Sequence, residues 1–259
     1  MTDGLPRAEV ARRLDAVEAE HDVRVVYAVE SGSRAWGFAS QDSDVDVRFL
    51  YVHRPEWYLA VDRRRDVIEQ PIVDLIDLSG WDLRKALGLL FASNPPLLEW
   101  LRSPLVYRET TGVAAGMRGL AAAYYDPKAA AHHYYHIAGR TQRGDLRGDL
   151  VRHKKYFYAL RPLLARRWIE TERSAPPMDF ESLADRCLPA GPIRAEVEGL
   201  LAAKRAGVEA DAGPRLPAIH AFVDGEIDRL GGVRVDPRPQ ASVEPLSAFF
   251  RAALREVWP

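Results

Sequence analysis

A β-branched run, Val23, Val25, Val26, Tyr27 and Val29, stops abruptly at Ser31-Gly32-Ser33, and a second apolar run then opens on Asp44-Val45-Asp46-Val47-Arg48-Phe49. The first run has the composition and length of a strand and the stop is loop chemistry, so the chain is committed here to strand, turn and strand. A short helix fits from Arg34, with Ser31 or Ser33 available as its N-cap, and Ser40-Gln41-Asp42-Ser43 reads as a turn capped by Asp42. Side chains alternate along a strand, which puts Asp44, Asp46 and Arg48 on one face and Val45, Val47 and Phe49 on the other.

Two carboxylates with one residue between them on a strand face repel each other. A divalent cation removes the repulsion, and oxygen-only ligands suit Mg²⁺ or Mn²⁺, whose remaining ligands are waters and substrate phosphates. Gly32 lets backbone approach a ligand closely, Ser33 offers a hydroxyl and an N–H, and a helix N-terminus favours anions, so the turn reads as a phosphate cradle facing the metal. Two ions clamping the attacking and leaving oxygens of an in-line displacement need a third carboxylate. Ile72, Val73, Leu75, Ile76 and Leu78 predict a third strand closed by Gly80, with Asp74 and Asp77 facing opposite sides of it. Asp77 is favoured because it ends that strand, where a metal cluster stays open to substrate, and Asp74 is then a rim charge.

The rest of the chain sorts by composition. Val10, Leu14 and Val17 recur at helical spacing ahead of the first strand and predict an amphipathic helix covering a sheet. Leu83 to Phe91 begins a helix that Asn94-Pro95-Pro96 must stop. From about 112 strand signals vanish, and 113–124, 129–141, 150–170, 193–204, 217–230 and 245–257 read as helices. We therefore expect a catalytic domain over 1–110 and a helical domain over 111–259. With 47% hydrophobic and 28% charged residues, 259 residues can bury a sizeable core. The single Cys187 excludes an internal disulfide and Cys-based metal clusters, and no basic-then-apolar leader or membrane-length apolar stretch is evident, so a cytoplasmic protein without a membrane partner is expected.

Strand, Gly-Ser, short helix and an Asp-x-Asp opening an apolar strand together resemble the motif of the DNA polymerase β-like nucleotidyltransferase superfamily. Gly32-Ser33-Arg34-Ala35-Trp36-Gly37-Phe38 with Asp42-Ser43-Asp44-Val45-Asp46-Val47-Arg48-Phe49, Asp77 to Leu87, Asn94 to Leu101 with Ser103-Pro104, and Lys154 to Leu164 are similar to the YcgL-like, RNA-repair-pathway DNA polymerase β-like nucleotidyltransferases. That resemblance implies an α+β chain: a minimal nucleotidyltransferase fold, a mixed sheet flanked by helices, followed by an all-α domain. It also implies that Gly32 and Ser33 hold the triphosphate of an NTP, that Asp44 and Asp46 bind two Mg²⁺ ions, and that Asp77 is the third carboxylate.

Arg34 and Arg48 are cationic candidates for the triphosphate, Arg48 being equally suited to pairing with a carboxylate. Trp36 and Phe38 suit either a base or the core, the core being the commoner fate. The formal charge of −1 hides an uneven distribution, because residues 128–173 hold eleven Lys and Arg against four Asp and Glu. Arg147, Lys154, Tyr158 and Arg161 recur at helical spacing, a stripe able to grip triphosphate or a nucleic-acid backbone, with Lys155 and His133 beside it as further acceptor contacts; a solvated basic face is the plainer alternative. His132 and His136 stand one helical turn apart but lack a third ligand at motif distance. The expected activity is transfer of an NMP from an NTP to a hydroxyl acceptor with release of pyrophosphate. RNA is the first choice of acceptor; a protein hydroxyl or small molecule is the alternative, and a non-catalytic nucleotide- or RNA-binding protein is the rival.

Overall fold

A computed structural model describes residues 6–40, 43–207, 212–236 and 241–259. In chain order the first elements are α1 (Arg7–His21), β1 (Val23–Glu30), α2 (Gly32–Ala35), β2 (Val45–His53), α3 (Pro55–Tyr58), β3 (Val67–Glu69), β4 (Ile76–Asp82), α4 (Leu83–Phe91), α5 (Pro95–Trp100), β5 (Val106–Glu109) and α6 (Val113–Tyr124). There follow α7 (Pro127–Asp145), β6 (Leu150–Val151), α8 (Lys154–Glu172), α9 (Phe180–Cys187), α10 (Pro192–Arg205), β7 (Gly213–Pro214), α11 (Pro217–Gly231) and α12 (Glu244–Val257). The expected turn residues Gln41 and Asp42 lie outside the described residues.

The chain divides into two compact units, one of Met1–Ala35, Asp44–Tyr125 and Gln240–Pro259, the other of Trp36–Ser43 and Asp126–Pro239. The first unit is built on a five-stranded mixed sheet in the order β3-β4-β2-β1-β5, in which β2 and β4 run parallel and the other pairs antiparallel. Both sheet faces are covered. Val10, Leu14 and Val17 of α1 pack on Val45, Val47, Phe49 and Tyr51, the odd positions of β2. The even positions Leu50 and Val52 join Leu83, Leu87 and Leu90 of α4, Val113 and Met117 of α6, and Leu246 of α12 on the opposite face. Burying a side chain of this size contributes about 1.5–3 kcal/mol, so period-2 alternation fixes which way β2 faces. Asp46 and Arg48 continue the even face toward the N-terminal end of the strand.

The helices covering that even face explain why the first unit runs past residue 110. α6 begins the helical stretch, yet its Val113, Ala114 and Met117 complete the sheet's core, and the apolar side of α12 does the same from the other end of the chain. A composition shift marks where strands stop, not where a core stops. The second unit is otherwise helical, apart from the two-residue ladder of β6 and β7.

The third strand starts later than the apolar pattern suggests. Ile72, Val73 and Leu75 are exposed, Asp74 and Leu75 have positive φ, and β4 begins at Ile76. Asp77 therefore opens its strand and does not end it. Gly80, expected as the stop, sits inside the strand because Phe49 lies over it: a Cβ there would come within 2.1 Å of the ring. Asn94, expected with its prolines to stop α4, also starts the next helix, its side chain accepting from the Leu97 N–H while Pro95 takes the first position.

Candidate active site

The parallel pairing of β2 with β4 sets Asp46 directly beside Asp77. Adjacent positions in register share a face, so the two carboxylates project the same way. Arg48, two residues along β2, reaches back between them: its Nη2 lies 3.1 Å from Asp46 Oδ1 and 2.7 Å from Asp77 Oδ2, and its Nη1 donates to the Asp77 carbonyl. The Asp46 and Asp77 side chains remain 26% and 27% exposed, enough for a ligand to reach them. Burial pushes the Asp46 carboxyl above the usual range; Arg48 opposes that, and Asp77 and Asp44 reinforce it. Burial thus makes the Asp46 charge costly, and Arg48 is the cation that offsets it here.

Gly32 closes the site from the other side. It enters α2 at φ +59°, and a Cβ built on it would stand 2.0 Å from Asp46 Oδ2. Only glycine combines that conformation with so close an approach. Ser33 follows in α2, a single turn with correspondingly little dipole, and Arg34 donates from Nε to the Asp44 carbonyl at 3.2 Å, tying the turn to the approach of β2. Asp44 itself is exposed and precedes the strand. Asp74 is held away by Arg13, 3.0 Å from its carboxylate.

Three groups that the sequence reading passed over hold Asp46 in place. Glu30, fully buried at the end of β1, accepts the Asp46 N–H at 2.9 Å on Oε1 and the Tyr107 hydroxyl on Oε2. Ser103 Oγ donates to the Glu30 carbonyl, and the Asp46 carbonyl accepts from Ser31 N–H. Burial drives the Glu30 carboxyl upward, opposed by the two donors. A signal existed in the acid that ends a largely apolar strand just before the turn. Glu30→Ala orphans two buried donors at about 1–3 kcal/mol each, so a loss of roughly 2–5 kcal/mol in urea denaturation is expected, while Glu30→Gln, which keeps an acceptor for the Asp46 N–H, should recover most of it. Equal losses in the two variants would show that Glu30 does not serve through these bonds.

The model of the RNA repair pathway DNA polymerase beta family matches residues 7–252. The chain belongs to that family. A curated relative, the uncharacterized protein YcgL of Bacillus subtilis (strain 168), is 44% identical over 254 residues, covering 97% of this chain and 98% of its own. A solved nucleotidyltransferase-like protein from Exiguobacterium sibiricum 255-15 is 11% identical over 96% of this chain and 80% of that one, with a TM-score of 0.32, at which the likeness says nothing of the site.

Nucleotidyltransferases of this kind typically use divalent metals. Among the described residues no group of three or more His, Cys, Asp or Glu is gathered as a ready-made metal site. The donor chemistry nonetheless fits a hard cation, because Asp46 and Asp77 already converge on one positively charged nitrogen. Those two, with Asp44 alongside, are the residues that would hold the ion.

The helical candidates, all in the second unit, fare differently from the stripe expected of them. Arg161 is buried, donates to the Met178 carbonyl at 3.1 Å and lies 4.5 Å from the Trp36 ring, so its charge serves packing. Phe38 is core, stacking on Phe157 at 4.3 Å, and Trp36 is half-buried with its ring edge-on to Tyr158. Arg147 falls in the loop before β6, outside α8, where its carbonyl accepts from Arg215. Lys155 pairs with Asp145 at 3.2 Å and sits over the Tyr158 ring. Lys154 and Tyr158 share an exposed face of α8, and His133 is half-buried on α7.

Proposed function

We propose that the protein is a divalent-metal-dependent nucleotidyltransferase that moves an NMP from an NTP to a hydroxyl acceptor, with RNA as the acceptor. The observation that carries the reading is the in-register convergence of Asp46 and Asp77 on one cation, with the Gly32 backbone packed against the Asp46 carboxylate. In the reaction the acceptor oxygen bonds to the α-phosphorus as the bond from that phosphorus to the bridging oxygen breaks; pyrophosphate departs, and the hydroxyl proton passes to a carboxylate oxygen, for which Asp77 is our candidate. Metal ions, when bound, neutralise charge developing on the attacking and leaving oxygens. Gly32 and Ser33 offer backbone N–H and hydroxyl to the phosphates, and Arg48, which reaches between the carboxylates that would hold the ion, is the cation nearest for a phosphate oxygen. Glu30 keeps the Asp46 backbone in register throughout. Support for RNA comes from the family's description and from the excess of basic residues over 128–173, of which Lys154, with Tyr158, is open to solvent.

A second reading has a specific observation in its favour. Arg48 already neutralises Asp46 and Asp77, as it would in a nucleotide- or RNA-binding protein that uses the pocket without metal. One experiment separates these readings: incubation with each α-phosphate-labelled NTP, Mg²⁺ and cell extract. Label in RNA is the expected result. Label in protein or a small molecule moves the acceptor and keeps the chemistry, and absence of label with every NTP, with Mn²⁺ as well as Mg²⁺, overturns catalysis in favour of binding alone.

A further inference from the structure

The second unit contains a cavity of about 640 Å³ between α7, α8, the end of α11 and the stretch that follows it. Its size falls within the roughly 300–1,000 Å³ of small-molecule sites. Cations dominate its polar lining: Lys128, Arg166 and Arg234, with His132 and His136, against the single carboxylate of Asp236. Among the described residues the Lys128 and Arg234 side chains form no ion pair. Arg166 is buried, with its Nη1 2.8 Å from Glu170 Oε1 and its Nη2 donating to the Val233 carbonyl, so its charge is met within the protein. His132 and His136 lie with their Nε2 atoms 3.0 Å apart, so one ring must donate to the other. A divalent metal between the rings would face the unpaired charges of Lys128 and Arg234. An anion, by contrast, accepts from the N–H that the ring pair leaves free and from the neighbouring ammonium and guanidinium groups.

We propose that this cavity binds a terminal phosphomonoester carried by a nucleoside-sized body. Lys128, Arg234 and the histidine pair hold the phosphate, and Tyr135, Leu230 and Val233 form an apolar wall for the body. A dianionic phosphate matches several convergent donors better than a carboxylate, which would leave donors unpaired. The same chemistry is offered by a free mononucleotide and by the 5′ end of an RNA strand.

The test uses the full chain labelled with ¹⁵N, reading the ring resonances of His132 and His136, each assigned with a His→Asn variant. Titration with inorganic phosphate should move both rings saturably, with a dissociation constant on the order of 1 mM. 5′-AMP should bind at least about tenfold more tightly and adenosine not at all. Lys128→Ala and Arg234→Ala, both at exposed positions, should each weaken AMP by about tenfold or more, the scale of a lost charge-assisted contact, without changing the melting temperature. A 5′-phosphorylated trinucleotide binding more tightly than AMP identifies a strand end as the source; equal or weaker binding identifies the free nucleotide. The proposal fails if neither phosphate nor AMP moves the rings, if the two substitutions leave AMP affinity unchanged, or if Zn²⁺ moves them and phosphate does not. Because the readout is the histidine rings, loss of nucleotidyl transfer elsewhere would not imitate failure here.

Discussion

Asp46→Asn is expected to lower nucleotidyl transfer by at least about 10³-fold while leaving the protein folded. Asn keeps the shape and one oxygen of the side chain but removes the charge that a metal needs. Its structural cost is small: Asp46 carries its charge against a burial penalty and against two neighbouring carboxylates, and Arg48 retains Asp77 as a partner. The melting temperature should therefore stay level or rise slightly, and Mg²⁺-dependent changes in tryptophan fluorescence or thermal stability should disappear. Transfer by the variant at a tenth of the parent rate or better would remove Asp46 from the catalytic set.

Gly32→Ala should be nearly as damaging by a different route. An alanine at φ +59° costs about 1–2 kcal/mol in backbone strain alone. Its Cβ would also sit 2.0 Å from Asp46 Oδ2, so either the turn or the carboxylate must move by about an ångström. Displacements of that size at reacting groups cost on the order of 10²-fold in rate. We expect a loss of stability of about 2–4 kcal/mol by chemical denaturation, together with at least a hundredfold loss of transfer. Gly37 provides the control, since it too has positive φ, +86°, but a Cβ there meets nothing within 4 Å. Gly37→Ala should pay the backbone strain and keep the activity. If the two alanine variants lose activity equally, contact with Asp46 is not what Gly32 provides.

Where chemistry is local, the chain could be read directly. β1, β2 and α1 announce themselves because strand and helix periodicities are short-range and their apolar positions are continuous, and Asp46, Asp77, Gly32 and Arg48 all belong to or adjoin such runs. Glu30 was harder to see because its meaning lies in Tyr107, 77 residues away, and in an N–H on the neighbouring strand. Spacing placed Arg161 on a helix but could not say which face α9 and Trp36 would cover, so a buried structural cation looked like a ligand contact. Gly80 misled for the same reason: a glycine that ends a strand and one that makes room for a ring across the sheet have the same local pattern. The short β3 and β5 carry too few residues for alternation to show, and they form only by pairing with strands already in place.

The interleaving of the two units limits how this protein can be taken apart or recombined. The peptide from Trp36 to Ser43 is covalently flanked by the phosphate-side turn and the carboxylate strand, yet it belongs with the second unit, where Phe38 stacks on Phe157 and the Trp36 carbonyl accepts from Phe180. α12, at the far end of the chain, belongs with the first. A gene fragment ending anywhere between 110 and 126 would lack Phe157 and Phe180 for the one and the apolar face of α12 for the other. The sheet-bearing unit is thus not a cassette. A lineage could not graft it onto a new partner by simple truncation and fusion, and a minimal version would have to be engineered by closing the 36–43 segment and permuting α12 into place.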